Sequence, residues 1–188
     1  MILVSKKLAM DKWVAVDIGS PDITRVRIRM SNTNIVVYNV YCDCRHSDSI
    51  QDLKQYLRRE EVSRNDSEAD IHMVWLGDFN RHHPEWDKEQ NSHLFTRANL
   101  DEAQTLLDAT SSSNLVMALP KGVPMLMAMS TGNNTQTDNV FISAYLHQHL
   151  ISCNTVPEDR PARSDHFPID TVIEAVASRT TQVTKYNY

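Results

Sequence analysis

The sequence predicts a mixed α/β or α+β domain, and three observations carry that expectation. Short β-branched and aromatic runs, of which residues 35–41 (I-V-V-Y-N-V-Y) are the clearest, have the composition of buried strands. Stretches at helical spacing separate them, with Ile50, Leu53 and Leu57 on one face and Leu100, Ala103, Leu106 and Leu107 on another. The 188 residues are 41% hydrophobic and 23% charged, which supplies a core for one domain and excludes a disordered chain.

The elements follow in chain order. Residues 24–30 alternate Arg25, Arg27 and Arg29 with Val26, Ile28 and Met30, the period of a half-buried strand, and residues 12–18 supply its partner. The arginine face is either solvated or set against a nucleic-acid backbone. After the strand at 35–41 comes a helix over 49–59. The apolar run 71–76 then stops at Gly77, as a central strand feeding a loop does. Asn99 and Glu102 resemble a capping box that opens the second helix. Residues 115–119, 137–143 and 167–173 read as further strands, and 63–70, 80–92, 132–136 and 154–163 as loops. The tail after Val176 is polar, which gives a domain over 1–176 and a tail over 177–188.

Several function classes drop out. Only four glycines occur, and neither G-x-G-x-x-G nor G-x-x-x-x-G-K-[ST] is present, so the two common glycine-rich phosphate cradles are excluded. Apolar stretches such as 125–129 fall far short of the ~20 residues of a membrane span, and the N-terminus lacks a secretory signal, so an intracellular protein of nucleus or cytoplasm is expected. Cys42, Cys44 and Cys153 suit reduced thiols better than a disulfide framework. The net charge is −5, distributed as +3 over residues 1–30, −7 over 43–108 and −1 over 109–188. That balance argues against strong non-specific nucleic-acid binding, which rests on Lys and Arg, yet permits meeting phosphates through a metal held on carboxylates.

Three polar clusters stand where packing alone would not put them. Gly77-Asp78-Phe79-Asn80 follows the apolar strand, Thr137-Asp138-Asn139 opens another, and Ser164-Asp165-His166 precedes a third. Each alone has a plain reading, an Asx-turn or a surface pair. Together they supply a carboxylate for a divalent metal, a histidine for the reacting centre, a second carboxylate to fix that histidine, and a neutral amide for a phosphate oxygen.

These segments resemble the closing motifs of the endonuclease/exonuclease/phosphatase superfamily, GDFN, an S/T-x-x-D-x-hydrophobic strand and SDH-x-P, and Asn39-Val40-Tyr41 resembles its N-V-Y segment. Gly77-Asp78-Phe79-Asn80-Arg81-His82-His83-Pro84-Glu85-Trp86 is more similar still to the endonuclease domain of LINE-type (non-LTR) retrotransposon polyproteins. The likeness runs from about residue 1 to about residue 175. It implies a deoxyribonuclease-I-like four-layer α/β sandwich of two packed sheets with helices outside. It also implies Mg²⁺ or Mn²⁺ as cofactor, DNA as partner, no obligate protein partner, and hydrolysis of phosphodiester bonds by in-line water attack.

Carried over position by position, the resemblance makes Asp78 the group that orients or activates water and Asn80 a phosphate contact. Asp165 becomes a metal ligand, His166 the base or the stabiliser of phosphorane charge, Asp138 the residue that holds His166, and Tyr41 the phosphate-side tyrosine. His82, His83 and Arg163 are weaker candidates for substrate contact. Superfamily members carry an Asn strand and a Q-E glutamate upstream of N-V-Y, whereas the 34 residues before Ile35 contain no Glu. Residues 1–15 resemble the segment after that motif, a strand ending in Ser-Lys. A domain short of its first strands and metal glutamate is therefore expected. That leaves two alternatives open, an inactive remnant and a phosphoesterase acting on a small or lipid ester. Of the remaining features, His147-x-His149 reads as a polar strand face rather than a zinc site, and the methionines near 125–129 as core filling.

Overall fold

The computed structural model describes residues 1–31, 33–63, 70–127 and 132–174. Most of the expected loop at 63–70, the last residues of the 125–129 stretch and the polar tail lie outside them. A six-stranded sheet organises the chain. Its strands are β1 (Trp13–Val16), β2 (Ile23–Arg29), β3 (Thr33–Tyr41), β4 (Asp70–Asp78), β5 (Leu115–Met117) and β8 (Asp138–Ser143), in the spatial order β1-β2-β3-β4-β8-β5. All neighbours are antiparallel except β3 and β4, whose crossover is helix α1 (Asp48–Ser63), as a parallel pair requires.

The central strands are apolar on both faces because both faces are covered. On one side Val36, Tyr38, Val40, Trp75 and Phe141 pack against Ile50 and Leu53 of α1 and Ala103, Leu106 and Ala109 of α2 (Arg97–Ser112). On the other, Val74, Val140 and Ile142 meet Leu119, Met125, Leu146 and Cys153. Cys153 belongs to a second sheet, the antiparallel pair β9 (Leu150–Thr155) and β10 (Ile169–Ile173), and Leu146 to the short helix α3 (Ala144–Gln148). Two more short strands, β6 (Leu126–Met127) and β7 (Asn134–Thr135), pair with each other.

Four expectations need correction. Residues 1–5 form no strand; Met1 and Leu3 are exposed, and β1 begins only at Trp13. The arginine face of β2 is neither solvated nor open at Arg25, which is 2% exposed. Arg25 donates to the Tyr56 hydroxyl and to Glu60 of α1, both at 2.8 Å, with the rings of Tyr38 and Tyr56 beside it. The second helix is capped by Thr96, whose hydroxyl accepts the N–H of Asn99, so Asn99 is inside the helix. His147 lies in α3 rather than on a strand, and the ring of His149 packs 4.7 Å from Tyr145, which stacks on His72. Met125, fully buried, does fill core space.

Candidate active site

Strand ends bring the acidic residues together. Asp78 closes β4 and Asp138 opens β8, and because these strands run antiparallel the two are register partners. Tyr41 closes β3 and pairs with Asp78 in parallel, so all three stand at one end of the sheet. Gly77 permits this crowding. Its φ is +137°, and a Cβ there would lie 2.0 Å from the carbonyl oxygen of Val40.

Past the strand, Asn80 adopts a left-handed φ of 48°, which its short polar side chain tolerates. Its backbone N–H donates to Asp78 Oδ1 at 3.0 Å, the Asx-turn that the sequence allowed as a plain reading. Its Nδ2 donates to Asp78 Oδ2 at 3.1 Å and to the Cys42 carbonyl at 2.8 Å. Asp78 is thus clamped on both oxygens by a single neighbour.

Residues 164–168 reach the site through backbone pairing with the 125–127 segment. Met127 donates its N–H to Asp165 O at 2.9 Å, and Phe167 donates to Met125 O at 2.7 Å. Ser164 Oγ accepts the His166 N–H, closing a turn that aims the imidazole inward. His166 Nδ1 then lies 2.8 Å from Asp138 Oδ2, while Asp165 Oδ1 is 3.8 Å from Nε2. The Asp138 side chain is 14% exposed and that of His166 32%, so the pair sits at the floor of an accessible site.

Electrostatics follow from that packing. Burial drives Asp138 up to about 6; the His166 hydrogen bond opposes the rise, and the Asp78 carboxylate adds to it. Burial alone would depress His166, but the hydrogen bond and charge of Asp138, with Asp78 and Asp165 nearby, hold the imidazole above its ordinary value. With Nδ1 committed to Asp138, Nε2 is the nitrogen presented outward.

One atom each of Asp78, Asp138 and His166 lies within 4.8 Å of the others, a spacing a metal ion can bridge. Carboxylates are the donors that suit a hard divalent cation, so the acidic residues at this end of the sheet fit the metal chemistry of the fold family, with His166 committed to Asp138. Asp165 stands at the rim, its side chain 47% exposed.

Tyr41 and the weaker candidates His82, His83 and Arg163 are placed differently. Tyr41 is 50% exposed beside Asp78. His82 Nδ1 lies 3.3 Å from the buried Asp87, and the His83 ring packs 5.2 Å from that of Trp86. Arg163 is exposed, with φ 70° and no side-chain partner among the described residues.

Sequence reasoning missed two residues that build the site's floor. Arg81 is buried and donates to the carbonyls of Asp43, Asn80 and His46 and to Ser47 Oγ, tying the 43–47 loop beneath Asn80. Asp87 accepts from Asn91 Nδ2 at 2.6 Å, and Asn91 also donates to Asn134 O, which links the His82–Asp87 loop to the segment leading into Asp138. A charged residue among other polar residues gives no sign of burial, so only their spacing from Trp86, whose indole donates to Arg81 O, could have hinted at it.

A protein-family model described as endonuclease-reverse transcriptase matches residues 35–170, most of the chain and all of the site. The chain belongs to the endonuclease-reverse transcriptase family. Solved structures agree on the fold of this family member. The endonuclease domain of TRAS1, a telomere-specific non-LTR retrotransposon, superposes with a TM-score of 0.64 at 15% identity, over 89% of this chain and 71% of that domain. The AP endonuclease LMAP from Leishmania major gives 0.66 at 14%, over 82% of this chain and 55% of that one. The 3′-5′ exonuclease NExo from Neisseria meningitidis gives 0.60 at 16%, over 90% and 82%. No curated protein matches the chain significantly. The fold is therefore deoxyribonuclease-I-like, within a superfamily of nucleases and phosphoesterases that work with divalent metals. Among the described residues, no helix is long and apolar enough to cross a membrane.

Proposed function

We propose that this family member is a Mg²⁺- or Mn²⁺-dependent phosphodiesterase that hydrolyses DNA in the manner of a retrotransposon nicking endonuclease, leaving a 3′-hydroxyl and a 5′-phosphate. The observation that carries the reading is the 2.8 Å bond between Asp138 and His166 beside Asp78, at one end of the sheet. In phosphoryl transfer a protein mainly positions groups and neutralises charge, and this cluster does both. Asp165 at the rim, together with the Asp78 carboxylate, would hold the metal, which would supply positive charge at the phosphate oxygens.

The side chains divide the remaining work. Asp138 fixes the His166 ring and tautomer, as an oriented carboxylate does for a working imidazole. His166 Nε2 either takes the water proton or, as the imidazolium its carboxylate neighbours favour, donates to the phosphate oxygen that gains charge. Asp78 orients the water. Asn80 contacts the scissile phosphate by exchanging its amide bond to Asp78 for one to a phosphate oxygen. Tyr41, His82, His83 and Arg163 line the approach of the DNA, and no obligate protein partner is needed. Residues 1–176 form this domain, and the protein works in the nucleus or cytoplasm.

Nicking of supercoiled plasmid tests it. The parent converts plasmid to the open circle in Mg²⁺ and not in EDTA, and Asp165→Ala or His166→Ala abolishes conversion. Variants that nick as well as the parent would refute the site. Calorimetry separates the alternatives. A parent with neither nicking nor a saturable heat of metal binding is a silent remnant of the fold. Turnover confined to small phosphate esters moves the substrate away from DNA.

A further inference from the structure

The net charge of −5 poses a problem for any chain that grips a polyanion, because affinity for DNA comes mostly from phosphate neutralisation by Lys and Arg. Several arginines are consumed internally. Arg25 and Arg27 face Glu60, and Arg81 is spent on four acceptors beneath Asn80. Arg160 is different. It follows a short 3₁₀ turn (Pro157–Asp159) and leans back over the loop that delivers Asp165 and His166. Its Nε donates to Ser164 O at 2.7 Å, and its guanidinium carbon lies 5.3 Å from the centroid of the Phe167 ring. Ser164 and Phe167 flank Asp165 and His166 directly, so this guanidinium spans the segment that carries them.

One edge of the guanidinium is committed and one face is stacked, yet its two terminal nitrogens meet no acceptor among the described residues. No carboxylate among those residues pairs with it either, although Glu158 and Asp159 are its near neighbours in sequence. A side chain held in this way has already surrendered much of its rotamer freedom, and its remaining fork matches two oxygens of a phosphate. Side chains fixed before binding gain more per contact than mobile ones.

We infer that Arg160 is a substrate-binding residue, a pre-ordered clamp for a backbone phosphate of DNA next to the one cleaved. This rests on the phosphodiesterase reading above and adds to it a contact outside the Asp78–Asp138–His166 cluster. Because Arg160 touches the substrate and not the reacting atoms, its removal weakens binding and spares the chemical step. Arg160 also braces the 164–167 turn, so the test must separate binding from bracing.

The experiment compares the parent with Arg160→Ala and Arg160→Lys in two measurements. In EDTA, affinity for a short DNA duplex is followed against salt concentration. The magnitude of the log–log slope falls by about 0.9 in Arg160→Ala, the change expected when one phosphate is no longer neutralised, and is retained in Arg160→Lys, which keeps the charge. In Mg²⁺, KM for nicking rises about tenfold in Arg160→Ala and by less in Arg160→Lys, while kcat stays within about twofold, as expected for a charge-assisted bond made equally in ground and transition states. An unchanged slope in Arg160→Ala, a lysine variant that fails to restore it, or a fall in kcat with KM unchanged would overturn the assignment, the last by leaving only a bracing role. A parent that neither binds nor cuts duplex removes the phosphodiesterase reading and this clamp together. An active parent with an unaltered slope on substitution removes the clamp alone.

Discussion

The 2.8 Å hydrogen bond between Asp138 and His166 sets the character of the site. Both groups hold a proton more tightly than free side chains do, Asp138 at about 6 because it is buried, and His166 above its ordinary value because three carboxylates surround it. Asp138→Asn keeps the shape and removes the principal cause that raises His166, leaving burial opposed only by the charges of Asp78 and Asp165. The His166 imidazole then titrates lower than in the parent, read by NMR, and nicking falls by about 10² to 10⁴, the usual worth of an oriented acid or base. An unmoved titration would show that Asp138 does not govern the imidazole. Stability carries the same sign. Because the folded pair binds protons more tightly than the unfolded chain, its contribution is present at low pH and lost as pH rises, first through about 6 for Asp138 and then through the raised value of His166. In EDTA, the urea midpoint of the parent therefore falls between about pH 5 and pH 8 more steeply than that of a variant carrying Asp138→Asn and His166→Ala. Asp78, Asn80, Asp138, Asp165 and His166 were legible because their residue types repeat a known order of motifs. Arg81 and Asp87 were not, because burial of Arg81 depends on acceptors at 43–47 and burial of Asp87 on donors from Lys88 and Asn91, which no hydrophobic period reveals.

Strand register is what turns separate motifs into a site. The antiparallel pairing of β4 with β8 sets Asp78 opposite Asp138, and a slip of one residue would send one of them to the other face. Gly77 guards that register. Its left-handed φ and the 2.0 Å approach to Val40 O mean that Gly77→Ala costs at least about 3 kcal/mol, combining backbone strain with a clash against main chain. A chemical-denaturation midpoint close to that of the parent would contradict the packing described for β3 and β4. At this scale the sequence was informative where periodicity reported burial, as in β3, β4 and α2. It misled on β2, where Val26 is buried as the period of two implies, but Arg25 on the opposite face is buried as well. The partner of Arg25, Glu60, lies one helix away, and a charged side chain facing inward looks like one facing water until that helix is placed. Strand β9 was passed over because Ile151, Ser152 and Asn154 are exposed and dilute its apolar signal.

The whole molecule is a sheet covered on both faces, with its chemistry gathered at one end. Helices α1 and α2 cover one side, and β9, β10 and α3 the other; the turn between β9 and β10 carries Asp165 and His166 back over the ends of β4 and β8. That return, and not any single motif, makes one site from segments nearly ninety residues apart. The fold class was expected from alternating strands and helices, and its deoxyribonuclease-I-like form only from resemblance, since packing of the second sheet leaves no periodic mark in the chain. The central claim is that this end of the sheet holds a divalent cation. Titrating the protein with Mn²⁺ while recording the histidine resonances tests it most directly. The predicted result is saturable paramagnetic broadening of His166 ahead of His72, His147 and His149, abolished by Asp78→Ala. Broadening spread evenly over all the histidines, or unchanged in Asp78→Ala, would contradict it.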